Sequence, residues 1–242
     1  MSGHSKWSKI KRAKAITDAK RGKLFSKMAR VISVAAKEKG GDPKFNPALR
    51  MAIEQAKAVN MPNENIERAI AKGAGGGEEE KMEEFLYEAY APAGIALLIE
   101  GITDNKNRTL SEIKNILTKN NGKFVELGGV KYLFGRKGVI IVNNEQKTFG
   151  HDDLEISAIE AGADDFRWRS DILEIYTPIE KLEEVKNILE SKNILTESSS
   201  LEWVAANEIE IKDERIKQQV EKLLEALEEQ DDVNEIYSNL KD

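Results

Sequence analysis

Apolar positions first recur at helical spacing in residues 20–39, where Leu24, Phe25, Met28, Val31, Ile32, Ala35 and Ala36 line one face. At ~100° per residue, Lys23, Lys27, Arg30 and Lys37 fall on the opposite side. This helix is expected to pack with one face and present cations with the other. Gly40 and Gly41 stop it. A second helix is predicted over 48–59, with Leu49, Ala52, Ile53 and Ala56 inward, and a short third one through Ile66, Ala69 and Ile70 after Pro62 and Asn63. Three short amphipathic helices make a small bundle. The glycine tract at 72–77, followed by Glu78, Glu79 and Glu80, reads as a flexible linker.

Beyond the tract the period changes from helical to alternating. Strands are predicted at 85–90 and 95–102, joined through Pro92, Ala93 and Gly94. A helix follows at 109–119, opened by a capping box of Thr109 and Glu112, with Leu110, Ile113, Ile116 and Leu117 inward. Then come strands at 131–134 and 138–142, a helix at 153–161, strands at 165–169 and 173–177, and a helix through Leu182, Val185, Ile188 and Leu189. A strand at 201–205 closes that unit, and a strand at 208–211, a helix at 216–227 and a strand at 233–237 end the chain. Residues 83–127 hold too few elements for a sandwich, and 206–242 supply what they lack. The expected organisation is therefore a basic helical domain (1–77), a discontinuous α/β domain (78–127 plus 206–242) and an α/β domain inserted into it (128–205). The fold class is α+β multidomain: a three-helix module followed by two small ferredoxin-like sandwiches, the last inserted into the middle one.

Charge changes the picture. Of the 242 residues, 37 are basic and 43 acidic, a net charge of −6. Residues 1–77 nevertheless carry 17 basic and 6 acidic side chains, net +11, and the remainder is net −17. Ten of the first thirty residues are Lys or Arg, with Asp18 the sole acid. Such a partition points to a polyanionic partner for the N-terminal part. The candidate contacts are Lys6, Lys9, Lys11, Arg12, Lys14, Lys20, Arg21, Lys23, Lys27 and Arg30. Residues 5–18 have only a thin apolar stripe (Trp7, Ile10, Ala13, Ile16), so this arm is expected to be loose until a partner orders it. Trp7 either covers the bundle or stacks on a base. Lys106 and Arg108, beside a helix start, form either a capped surface loop or a candidate anion site. Phosphate contact is supported, but no helix-turn-helix or zipper signature reads base edges.

Other chemistry leaves little trace. Cysteine is absent, which excludes disulfides and thiolate sites, and His4 and His151 stand outside any metal-binding spacing. The tract at 72–77 lacks the Gly-Lys-Ser/Thr ending of a P-loop. Acidic pairs at Asp152-Asp153, Asp164-Asp165 and Asp231-Asp232 read as a helix cap, a strand start and a helix end, and carboxylate chemistry there is the remote enzyme alternative. No catalytic residue, metal or cofactor is assigned, no small-molecule substrate is expected, and a cytoplasmic protein without membrane contact is expected.

Several stretches carry a resemblance. GHSKW, DAKRGKLFSKMAR, NPALRMAIEQAK and NIERAIAKG, followed by YEAYAPAGIALLIE, TDNKNRT, GGVKYLFGRKG, AGADD and LEEQDDVNEIYSN, run in one order from Gly3 to Asn239. They resemble the YebC family, catalogued as probable transcriptional regulatory proteins and including the mitochondrial translational activator of cytochrome c oxidase. The resemblance implies a helical N-terminal domain and two α/β domains, the third inserted into the second. Ala89, Ala91, Gly129 and Asn207 depart from residues common in the family, all at turns or linkers. The implied function is a DNA-binding transcriptional regulator. The alternative is a ribosome-associated factor that binds ribosomal RNA and relieves stalls at proline-rich sequences. DNA and ribosomal RNA both offer phosphate, so the physics fits either.

Overall fold

The computed structural model describes residues 18–75 and 82–241, with side chains from Arg21 onward. Among the described residues there are seven α-helices and two four-stranded sheets. The N-terminal module comprises α1 (Asp18–Lys39), α2 (Pro47–Ala58) and α3 (Asn63–Ala74). Its core joins Met28, Ile32 and Ala36 to Leu49, Ala52 and Ala56 and to Ile66 and Ala69. Asn46, fully buried, ties two helix ends together. Its Oδ1 accepts from the Leu49 amide (3.0 Å), capping α2, while its Nδ2 donates to the Ala35 and Gly40 carbonyls at 2.7 and 2.8 Å. Pro47 at the first helical position suits a site with no intrahelical donor to lose. The glycine tract enters structure earlier than its composition suggests. Lys72, Gly73 and Ala74 are helical, and Gly75 caps α3.

The first sheet takes its strands from two distant stretches of chain. β1 (Glu83–Tyr90), β2 (Ala96–Thr103), β3 (Lys123–Val125) and β8 (Val233–Ser238) lie in the order β3-β1-β2-β8, all pairs antiparallel. The β1–β2 hairpin turns through Pro92–Gly94, where Ala93 and Gly94 adopt φ of 60° and 75°. Both faces of β2 are covered, which explains its near-continuous apolar run. Leu97 and Ile99 meet α4 (Lys106–Lys119) through Ile113 and Leu117, and α7 (Glu214–Glu228) through Leu223, Leu224 and Leu227. Ala96 and Leu98 on the other face pack with Val130, Phe134 and Ala205 of the second sandwich.

That sandwich runs β4 (Phe134–Asn143), α5 (His151–Ala161), β5 (Asp165–Arg169), β6 (Ile172–Thr177), α6 (Leu182–Ser191) and β7 (Ser198–Ala205). Its sheet order β5-β6-β4-β7, with a βαββαβ chain order, is the ferredoxin-like arrangement. The helix-covered face holds Ile140, Val142, Leu173 and Ile175 against Leu154, Ala158, Val185 and Leu189. Both sandwiches thus lay two helices on a four-stranded sheet, and the second is inserted between β3 and α7 of the first. Glu88 pins the entry crossing: its buried carboxylate accepts from the amides of Gly128, Val130 and Lys131 at 2.7–2.8 Å. Burial works to raise its pKa, but the three N–H donors outweigh that and hold it below the usual value.

Four local expectations are corrected. The N-cap of α4 is Asn105, whose side chain accepts from the Arg108 amide at 3.1 Å. Thr109 lies inside the helix, fully buried, so the Thr109–Glu112 capping box is not formed. Residues 131–133 are a 3-10 turn, and 134–143 form one strand rather than the end of one and the core of another. Residues 208–211 make a single parallel bridge, Ile209 to Leu240, instead of a strand. β3, half-exposed and three residues long, carries no alternation to betray it.

Candidate nucleic-acid interface

Lys6, Trp7, Lys9, Lys11, Arg12 and Lys14 lie outside the described residues, and Lys20 is described by its helical backbone alone. Arg21 is exposed at the start of α1. The three cations that follow at helical spacing, Lys23, Lys27 and Arg30, face inward across a domain seam. Lys23 Nζ pairs with Asp231 Oδ1 at 2.9 Å and also donates to the Glu229 carbonyl. Lys27 donates to the Glu228 carbonyl at 2.7 Å. Arg30 Nη1 reaches the Asp231 carbonyl (3.1 Å) and Asp232 Oδ1 (2.8 Å).

The physical reason is the end of α7. Its last turn leaves carbonyl groups without helical partners and concentrates the negative end of the helix dipole there. Residues 228–232 add four carboxylates. Three cations, one helical turn apart on α1, supply donors to that terminus. Helical periodicity places Lys23, Lys27 and Arg30 on one face, but the residues they meet lie some 200 positions downstream.

Lys27 is 8% exposed. Burial and the neighbouring Lys23 push its pKa down to about 8, against the pull of Asp231, Glu228 and Glu235. A lysine depressed on folding binds its proton less tightly in the folded than in the unfolded chain. Its unfavourable contribution is fully present below about pH 8 and is relieved as pH rises towards the unfolded value. Lys27→Met is therefore expected to match or exceed the parent's stability at pH 7, by up to about 1 kcal/mol. That difference should narrow in urea titrations above pH 8; a loss of more than about 2 kcal/mol would show that the amine–carbonyl bond outweighs the burial cost.

Asp232 is the hub of the seam. Its side chain, 5% exposed, also takes Arg108 Nη2 at 3.0 Å, the Thr109 hydroxyl at 2.7 Å and the Thr103 hydroxyl at 3.2 Å. Burial raises its pKa, while the Thr109, Arg108 and Gln230 hydrogen bonds lower it, with a net downward shift. Arg108 further pairs with Asp104 at 2.5 Å, and Lys106 with Glu83 at 2.9 Å. The candidate anion site at Lys106 and Arg108 is thus occupied by the chain's own carboxylates. Between these groups lies a cleft of about 430 Å³, lined by Arg30, Arg108, Asp104, Glu112, Asp231 and Asp232 among others. Its carboxylates outnumber its guanidinium groups, so a polyanion is repelled there.

A second cleft, about 470 Å³, opens between α1 and α3. It is lined by Phe25, Met61, Asn65, Arg68 and Lys72. Neither Arg68 nor Lys72 figures in the charge-density reading of the first thirty residues, because both belong to a helix with balanced charge. The signal available in sequence was their spacing, four apart on one face of α3. Among the described residues no group of three His, Cys, Asp or Glu is placed to hold a metal ion, and no helix is long and apolar enough to cross a membrane.

A basic three-helix module clamped by its cations onto a split α/β sandwich, with a ferredoxin-like sandwich inserted, defines a three-domain α+β architecture. Residues 5–76 match the family model described as the TACO1/YebC protein N-terminal domain, and residues 82–240 match that of the TACO1/YebC second and third domain. The chain belongs to the TACO1/YebC family. A relative from Halothermothrix orenii, named "Probable transcriptional regulatory protein", is 48% identical over 239 residues, covering 99% of this chain and 94% of its own length. The Bacillus subtilis "Probable transcriptional regulatory protein YrbC" is 46% identical over 241 residues, the full length of both. The crystal structure of a conserved hypothetical protein from Aquifex aeolicus superposes with a TM-score of 0.85 at 48% identity, covering 94% of this chain and 93% of that one.

Proposed function

We propose that this protein is a non-enzymatic, nucleic-acid-binding regulator of gene expression. The observation that carries the proposal is the charge partition: ten cations and one acid in the first thirty residues of a chain that is acidic overall. The relatives' names, probable transcriptional regulatory proteins, agree with a regulatory role. Lys23, Lys27 and Arg30 are committed to the seam, which moves the expected phosphate contacts towards Lys6, Lys9, Lys11, Arg12, Lys14, Lys20 and Arg21. Contacts of this kind position a polyanion without reading its sequence.

If about half of the ten cations meet phosphate, log K falls with log salt with a slope of roughly −3.5 to −4.5. Affinity indifferent to salt argues against the proposal. Joint charge reversal of Lys9, Lys11 and Arg12 is expected to weaken binding at least tenfold while leaving thermal unfolding unchanged. A second reading, a ribosome-associated translation factor that binds ribosomal RNA, is favoured by the inward orientation of Lys23, Lys27 and Arg30, which takes these three α1 cations away from a DNA major groove. Crosslinking in cells, followed by sequencing of bound RNA and bound DNA, separates the two. Recovery of discrete promoter fragments supports the transcriptional role, and recovery of ribosomal RNA supports the other.

A further inference from the structure

The helices α1 and α3 approach each other most closely at Ser33 and Gly73. The Ser33 hydroxyl donates to the Ala69 carbonyl at 2.8 Å, and Gly73 passes so close that an added Cβ would stand 2.2 Å from the Ser33 carbonyl oxygen. From there the groove between them runs past Ala29, Ser26 and Phe25 on one side and Asn65 and Met61 on the other. Its floor is apolar: Met61 and Ala69 are buried, and Phe25 is half-buried. Its rim carries Arg68, Lys72 and Arg30, and none of its described lining residues is acidic. Arg68 is 71% exposed and its partner Glu64 82% exposed, an i,i+4 pair of the kind that contributes little and exchanges readily for another anion.

We infer that this groove binds single-stranded RNA, an unstacked base entering between Phe25 and Met61 while flanking phosphates meet Arg68 and Lys72. The inference rests on the nucleic-acid reading above and gives it a site outside the basic arm. Charge complementarity selects a polyanion for this cleft and excludes it from the carboxylate-lined cleft on the other side of Arg30. The apolar floor selects an unpaired strand, since a duplex keeps its base faces stacked and offers only edges and phosphates. Asn65, at the groove wall, supplies both a donor and an acceptor to a base edge.

The test uses the full chain and a fluorescently labelled, unstructured 12-nucleotide RNA, with duplex DNA of the same sequence as competitor. Arg68→Glu with Lys72→Glu, both at exposed positions, is expected to weaken RNA binding at least tenfold and to reduce the salt slope by about 1.5–2. RNA carrying 4-thiouridine is expected to crosslink to the peptide containing Phe25, a readout that general electrostatic attraction does not give. Affinity within twofold of the parent, or duplex DNA competing as well as the RNA itself, overturns the groove assignment. So does a fall in melting temperature with binding unchanged, which would mean that the rim serves the chain's own packing. Loss of binding on reversal of Lys9, Lys11 and Arg12, with the groove variant unaffected, removes the groove and keeps the nucleic-acid reading. A parent chain that binds neither RNA nor DNA removes both.

Discussion

Asp232→Ala is expected to destabilise the protein by about 2–3 kcal/mol, more than any other single change at the domain seam. The carboxylate is 5% exposed and holds four side chains at once: Arg30 from α1, Arg108 and Thr109 from α4, and Thr103 from the end of β2. Alanine leaves both threonine hydroxyls buried without this acceptor and two guanidinium groups facing each other. Arg30 and Arg108 are 33% and 44% exposed, so water recovers part of their loss, and the expected cost stays below that of breaking a fully buried pair. Asp232→Asn, which keeps an acceptor and loses the charge, is expected to cost about half as much. The same geometry fixes a pH window. The carboxyl's pKa is lower folded than unfolded, so its stabilisation is complete above the ordinary carboxylate value and is lost as pH falls through the depressed one. Parent and Asp232→Asn should therefore converge in urea midpoint under strongly acidic conditions. A constant gap from pH 7 to pH 2 would rule out the charge as the source.

The seam also shows what the sequence could and could not reveal. Elements that bury a full face were legible from their own residues: β6 was predicted to within one residue at its start, and α7 to within two residues at its start and one at its end. Elements positioned by something remote were not. β4 looked like two short strands because Gly135, Arg136 and Lys137 break the apolar run, yet they lie inside one strand, and Gly138 beside them is required there. An added Cβ would stand 2.4 Å from the Thr177 hydroxyl on β6 and 3.0 Å from Leu182 of α6. Residues 208–211 alternate like a strand, but Glu208 is held by Arg167 and Arg169 at 2.6 and 2.9 Å, and a single bridge is all the pairing the segment makes.

The candidate interface divides in the same way. A run of cations is visible in any sequence, but whether each meets solvent, phosphate or the protein's own carboxylates depends on tertiary contacts. Lys23, Lys27 and Arg30 have the periodicity of an exposed basic face, and the end of α7 takes all three. Thr109 has the spacing of a cap and is instead a buried ligand of Asp232, because Asn105 starts the helix four residues earlier. In both cases the local rule held as chemistry, a cation seeking an anion and a hydroxyl seeking an acceptor. The partner was supplied by the far end of the chain.

Gly73→Ala is the second change expected to have a large effect, and its sign is opposite to that of an ordinary helix position. Inside an exposed helix, alanine in place of glycine stabilises by roughly 0.8–1 kcal/mol. Gly22 on α1 is such a position, with nothing among the described residues within 4 Å of an added Cβ, so Gly22→Ala is expected to raise stability by up to about that amount. At Gly73 the added carbon would lie 2.2 Å from the Ser33 carbonyl oxygen and 2.9 Å from the Ala36 Cβ. Both are parts of α1 that cannot rotate away, since one is backbone and the other is a methyl fixed to it. The helices must separate, straining the bond from Ser33 to Ala69 and opening the core around Ile32 and Ile66. Overpacking of this kind costs about 1–3 kcal/mol, and set against the alanine gain the net expectation is a loss of up to about 2 kcal/mol in the N-terminal module. Chemical denaturation of the two variants side by side measures the contrast: equal effects would mean that α1 and α3 do not cross in contact at this glycine. Spreading the helices also displaces Phe25 from Met61 and Arg68. Gly73→Ala is therefore expected to weaken single-stranded RNA binding even under conditions where the chain remains folded.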